Sequence, residues 1–137
     1  MLALTCLLTF SSDFRLLITH DLLKMDNRKI LSVITVENDN NDFKVLKIRR
    51  GKNLFIEIYS DNKREFFDLG LTTNGTVFLG GKSTELASVD LDNDGLREII
   101  VPTLNDKFKS ELYIIKYNLK AQTHSMSNSV PYLNLNP

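Results

Sequence analysis

The chain has no tryptophan, one cysteine, three prolines and six glycines in 137 residues. A single cysteine, Cys6, excludes an intramolecular disulfide and leaves cysteine usage silent on redox compartment. An apolar fraction of 42% and a charged fraction of 25% are ordinary for a folded domain. No apolar run reaches the roughly 18 residues that a transmembrane helix needs, so no helical span is expected. Charge of one sign is missing too: 17 Lys and Arg balance 17 Asp and Glu, which leaves no field to attract nucleic acid or an anionic membrane. His20 and His124 lie in no metal-binding or nucleophile–base spacing and are expected to be ordinary exposed histidines. Gly80-Gly81-Lys82-Ser83 resembles the end of a phosphate-binding loop, but the glycine required earlier is Thr76, and no strong helix signal follows. No arrangement of acids, His, Ser or Lys forms a recognisable catalytic set, so an enzyme is not expected.

What is there reads as β-structure. From Lys29 onward, RKILSVITV, FKVLKIR, NLFIEIYS, REFFDLGL, GTVFLG, REIIVP and ELYIIKY are short runs rich in Ile, Val, Phe and Tyr. Turn signals separate them at Arg50-Gly51, Asp61-Asn62, Asn74-Gly75, Gly80-Gly81, Asp94-Gly95 and Asn105-Asp106. Asn74-Gly75, between Leu71 and Phe78, predicts a two-residue hairpin, and that turn role also accounts for the formal glycosylation acceptor Asn74-Gly75-Thr76. The aromatics Phe55, Tyr59, Phe66, Phe67, Tyr113 and Tyr117 fit strand faces in a core. The stretch 121–137 is polar and lacks periodicity, which predicts a loose tail.

The N-terminus is open to two readings. Residues 1–12 begin with the apolar MLALTCLLTF and end in Ser11-Ser12, like the core and exit of a secretory signal, yet the basic leading region is absent. A buried first strand or helix fits equally. Residues 11–26 are also ambiguous: Phe14, Leu17, Ile18 and Met25 fall at helical spacing, while Phe14 to Thr19 also suits a short strand.

One segment names a chemistry. Asp90-Leu91-Asp92-Asn93-Asp94-Gly95-Leu96-Arg97-Glu98 places carboxylates at alternate positions 1, 3 and 5 of a tight loop. Gly95 permits a sharp bend, Leu96 offers its backbone carbonyl, and Glu98 closes the set. Calcium, a hard cation, takes six to eight oxygens in a flexible shell, so Asp90, Asp92, Asp94, Leu96 and Glu98 are candidate ligands for Ca2+. Without a cation the clustered carboxylates repel one another. A helix–loop–helix EF-hand is excluded, because position 12 is Val101 and Glu98 opens a β-branched run with a proline behind it. The alternative is a solvated turn in which Asp-Gly serves only the bend.

Sliding the chain by 53 positions places VENDNNDFK, residues 36–44, on VDLDNDGLR, residues 89–97. In the first copy Asn41 replaces the third acid, Asp42 stands where the glycine belongs and Val45 where the last ligand belongs. The loop with an acid at position 9 between strands resembles the FG-GAP or VCBS-type repeat, found in the calcium-binding blades of integrin α-chain propellers and in bacterial surface proteins. Ala87-Ser88-Val89 leading into the loop, the Asp90/Asp92/Asp94-Gly95 core, the strand from Glu98 to Val101 and the upstream NGTVFLGG carry this resemblance. It covers residues 74–117 well and 34–59 weakly. The family usually has Asp where Glu98 stands.

The resemblance implies an all-β, antiparallel β-domain over 27–118, built from two propeller-blade-like units that cannot close a propeller alone. The units are a degenerate repeat at about 34–60 and a calcium repeat at about 74–118. It implies a non-catalytic calcium-binding module that mediates protein or glycan interaction, secreted or otherwise extracytoplasmic, with exposed edges that favour self-association. The alternatives are an accessory domain of a polysaccharide-active enzyme, or a metal-independent scaffold in the cytoplasm.

Overall fold

The computed structural model describes residues 28–38 and 41–129, so the signal-like segment, residues 11–26 and the end of the expected tail lie outside the described residues. The described chain is all-β and antiparallel, with no helix and no sheet closed into a barrel. Nor is any described helix long and apolar enough to cross a membrane.

Four consecutive strands form the first sheet, a meander of β1 (Arg28–Val36), β2 (Phe43–Arg50), β3 (Asn53–Ser60) and β4 (Lys63–Asp68). Alternation drives it: Leu54, Ile56 and Ile58 of β3 face the core, and Phe43 and Val45 of β2 face it beside them. The second sheet contains β5 (Thr73–Asn74), β8 (Ala87–Val89), β9 (Glu98–Leu104), β10 (Ser110–Asn118) and β11 (Thr123–Ser129). Here β5 and β8 lie end to end along one edge of β9, pairing with Thr103–Leu104 and with Glu98 to Ile100 respectively. A separate hairpin, β6 (Val77–Leu79) with β7 (Lys82–Thr84), fills the chain between them. One core joins both sheets. Val36, Phe43, Val45, Leu54, Ile56 and Ile58 of the first pack with Ile99, Val101, Ile115 and Tyr117 of the second, and with Leu69 and Leu86.

The internal similarity has a structural counterpart. β1 to β4 and β8 to β11 are both four-strand antiparallel meanders, and the connection between the first two strands of each carries the repeated sequence. Val36 pairs with Phe43 across the first loop and Val89 with Glu98 across the second. The first loop spans 37–42 and the second 90–97, so the first is two residues shorter. Phe43, rather than Val45, therefore takes the place of Glu98 at the strand start. It packs on the rings of Tyr117 and His124, with centroids 4.8 and 4.7 Å apart.

Four expectations are corrected. Asn74-Gly75 is no hairpin turn: Asn74 pairs with Thr103, and the hairpin tip is Gly80-Gly81, where Leu79 faces Lys82. Gly75 is required for a different reason, because a Cβ there would lie 2.9 Å from the Thr103 backbone. The start of the 121–137 tail is ordered, since Thr123–Ser129 is strand β11 and pairs along β10. His124 on that strand is buried rather than exposed. Strand β9 runs through Pro102 to Leu104 instead of ending at the proline. The Pro102 carbonyl points to the edge where Gly75 N donates to it at 3.3 Å, so its ring nitrogen faces the break between β5 and β8, where no ladder bond is lost.

Candidate metal centre

The Asp90 to Glu98 loop is shaped by its own acids. Asp90 accepts the backbone N–H groups of Asp94 at 3.2 Å and Gly95 at 3.0 Å, which draws the chain into a tight ring. Asp94 Oδ1 accepts Leu96 N at 2.8 Å, a local turn that steers the chain toward β9. Two left-handed residues complete the bend, Asn93 at φ 58° and Gly95 at φ 86°. Glycine takes this conformation freely, and asparagine tolerates it better than most residues. Arg97 then clamps the exit: its guanidinium donates to Ser88 Oγ at 3.0 Å and Ser88 O at 2.6 Å, and its backbone N–H donates to Asn38 Oδ1 at 3.3 Å. The clamp ties the loop to the strand that enters it and to the shorter loop of the first copy.

Three of the expected ligand residues converge. Carboxylate oxygens of Asp90, Asp92 and Glu98 lie within 4.8 Å of one another. Asp94 is outside this trio, with one oxygen turned to Leu96 N and the other to Lys116. Leu96 is half-buried at the loop exit. Glu98 is the anchored member. Its side chain is 3% exposed, and Oε2 accepts Leu91 N at 2.7 Å. Its other oxygen, Oε1, has no hydrogen-bond donor. A buried carboxylate oxygen without a donor is costly, and the Lys116 ammonium 3.5 Å away offsets that cost by charge alone, without a hydrogen bond.

Sequence reasoning missed Lys116. Lying on β10 one residue past the Ile115–Ile99 pair, it faces Glu98 across the ladder. Its ammonium bonds Asp92, reaches Asp94 Oδ2 at 2.9 Å and stands 3.5 Å from Glu98 Oε1. Hydrogen bonds to Asp92 and Asp94 hold this amine above the usual lysine range, and the bond from Lys116 lowers Asp94 in turn. The donor set of carboxylates suits a hard cation such as calcium, and an ammonium already touches it. The only signal available was the register of ELYIIKY opposite the loop, which fixes which residue meets Glu98.

A second buried carboxylate, Glu57, lies on the outer face of the first sheet. Glu57 is 1% exposed and takes Arg28 at 2.6 Å, Arg64 at 2.8 Å and the Tyr59 hydroxyl. With its oxygens occupied by two guanidinium groups, it offers little to a metal. A comparison with known protein families, curated proteins and solved structures finds no match to this chain.

Proposed function

We propose that this chain is a non-catalytic β module whose Asp90 to Glu98 loop takes a calcium ion and, once rigid, presents its surroundings to a protein or glycan partner. The observation that carries the metal reading is the meeting of Asp90, Asp92 and Glu98 oxygens within 4.8 Å, with Glu98 Oε1 buried and lacking a hydrogen-bond donor. Asp90 and Glu98 would anchor the ion, Asp92 would close on it from solvent, and Asp94 would join by releasing Lys116. Bound calcium would supply charge neutralisation and a fixed loop shape. The loop resembles the calcium loops of FG-GAP blades, and two like meanders in sequence agree with a blade repeat. Such sites suit an extracytoplasmic setting, where calcium is abundant enough to fill weak extracellular modules.

A second reading has its own observation. Lys116 already neutralises Asp92 and Asp94, so the loop also fits a scaffold that needs no metal. Thermal unfolding in EDTA and in millimolar calcium separates the two. Selective binding to the native state stabilises it by about 2.7 kcal/mol at a hundredfold excess over the dissociation constant. The expected result is a calcium-dependent rise in melting temperature that Asp92→Ala/Asp94→Ala abolishes. A wild type indifferent to calcium leaves the scaffold reading.

A further inference from the structure

Lys116 occupies the mouth of the acidic loop, and no other described cation does, because Arg97 beside it turns to Ser88. We propose that Lys116 is a built-in counterion that competes with the metal for this loop and thereby sets its calcium affinity. The inference rests on the calcium reading above and adds the residue that tunes it.

Two independent observations carry it. First, the ammonium covers the loop incompletely. It bonds Asp92 and reaches Asp94, both half-exposed, yet stands 3.5 Å from Glu98 Oε1, which keeps no hydrogen-bond donor at 3% side-chain exposure. The inner oxygen thus remains available to an ion that binds deeper than an ammonium can. Second, Lys116 has a route into solvent despite its three carboxylate partners. Its side chain is 41% exposed, so its long stem can carry the charge into water.

A calcium ion requires the Asp92 oxygen that Lys116 now holds. The binding-competent state is then the fraction of molecules with Lys116 withdrawn, and apparent affinity falls by that fraction. Lys116 also has a use without metal, since it limits carboxylate repulsion and keeps the loop closed. The result is a loop that is folded when empty and filled only where calcium is plentiful.

The test is calorimetric titration of the full chain with calcium chloride, comparing wild type, Lys116→Met and Lys116→Arg. Lys116→Met is expected to bind at least about tenfold more tightly, and Lys116→Arg, which keeps the charge, to stay near wild type. Metal-free Lys116→Met should melt below wild type, with the gap closing in saturating calcium. If Lys116→Met proves unfolded without metal, Lys116→Gln, which keeps a donor for Asp92, replaces it in the same comparison. Uptake by the methionine variant alone also supports the proposal, with Lys116 then holding the wild-type loop shut. Equal affinities in wild type and Lys116→Met would overturn it while leaving the calcium site intact. No uptake by any folded variant would overturn the calcium reading itself and the proposal with it.

Discussion

Lys47 Nζ lies 2.6 Å from the carbonyl oxygen of Pro102, and this contact joins the centre of the first sheet to the break in the edge of the second. Lys47 shares the inner face of β2 with Phe43 and Val45 and is fully buried. Its ammonium also takes Gly75 O at 3.3 Å and Glu85 O at 3.0 Å. Those carbonyls lie where β5 stops and β8 has not begun, so no strand pairs with them there, although the Pro102 carbonyl also takes Gly75 N–H. Burial pushes the amine down to about 8, partly opposed by Glu85, so it remains mostly charged at neutral pH.

Replacing Lys47 by Met keeps the volume and removes the donors. Relief of the buried charge offsets part of the loss, and the Pro102 carbonyl keeps Gly75 N–H, but the Gly75 and Glu85 carbonyls lose their Lys47 donor, each costing about 1–3 kcal/mol when unsatisfied. Lys47→Met is expected to destabilise the fold by about 2–4 kcal/mol in urea unfolding. A variant as stable as wild type would show that these carbonyls find other donors.

Gly75 sits in the same junction. A Cβ there would lie 2.9 Å from backbone atoms of Thr103, which belong to a paired strand and yield little. Gly75→Ala should therefore cost about 1–3 kcal/mol, the range of an overpacked interior. Gly75 is also one of the three Lys47 acceptors, so the double variant should lose less than the sum of the two single losses. Strict additivity in a double-mutant cycle would separate the sites.

Much of this fold was legible in the sequence and part of it was not, for reasons that particular residues show. β1 and β3 have the bounds of the runs RKILSVITV and NLFIEIYS, because β-branched and aromatic residues fill both between turns. β11 was hidden, since THSMSNS is polar, yet His124 is buried and Met126 packs against the core. The three-residue β8 was visible only as the entry to the acidic loop. Asp90, Asp92 and Glu98 were legible as candidate ligands because a local loop brings them together. Lys47 and Lys116 were not, since a lysine inside an apolar run reads as solvent-facing until non-local pairing shows what it meets. Asn74-Gly75 misled for the same reason: its turn chemistry was strong, but pairing of Asn74 with Thr103 overrode it.

Glu57 offers a third test. Burial works to raise its carboxyl, and the Tyr59 hydroxyl with Arg64 and Arg28 outweigh burial and hold it below the ordinary range. Removing one partner of a buried ion pair typically costs about 3–5 kcal/mol. Arg28 and Arg64 each have further interactions, so Glu57→Gln should fall near or below the low end of that range, at about 2–3 kcal/mol by denaturant unfolding. A larger loss would mean that those other contacts depend on Glu57.

The Glu65–His124 pair predicts how stability depends on pH. Glu65 of β4 accepts the backbone N–H of His124 on β11 at 3.1 Å and also holds the ring at Nδ1, bridging the two sheets. Burial against Phe43 and Tyr117 pushes the imidazole below its ordinary 6.5, with Glu65 pulling the other way. Glu65 itself is held below 4.5, since its bonds to His124 outweigh the effect of burial. For both groups the unfolded chain binds its proton at higher pH than the folded chain does. Stability therefore rises with pH across each window, is fully present above 6.5, and is lost in two stages on acidification. The first stage follows His124 below 6.5, and the second follows Glu65 and Glu57 below 4.5. Melting temperatures taken from pH 7.5 down to about 3 should show this fall. His124→Phe keeps a ring against Phe43 and Tyr117 but has no proton to take up, so its profile should be flat through the first stage and drop only in the second. A first-stage fall unchanged in His124→Phe would assign it to a different group.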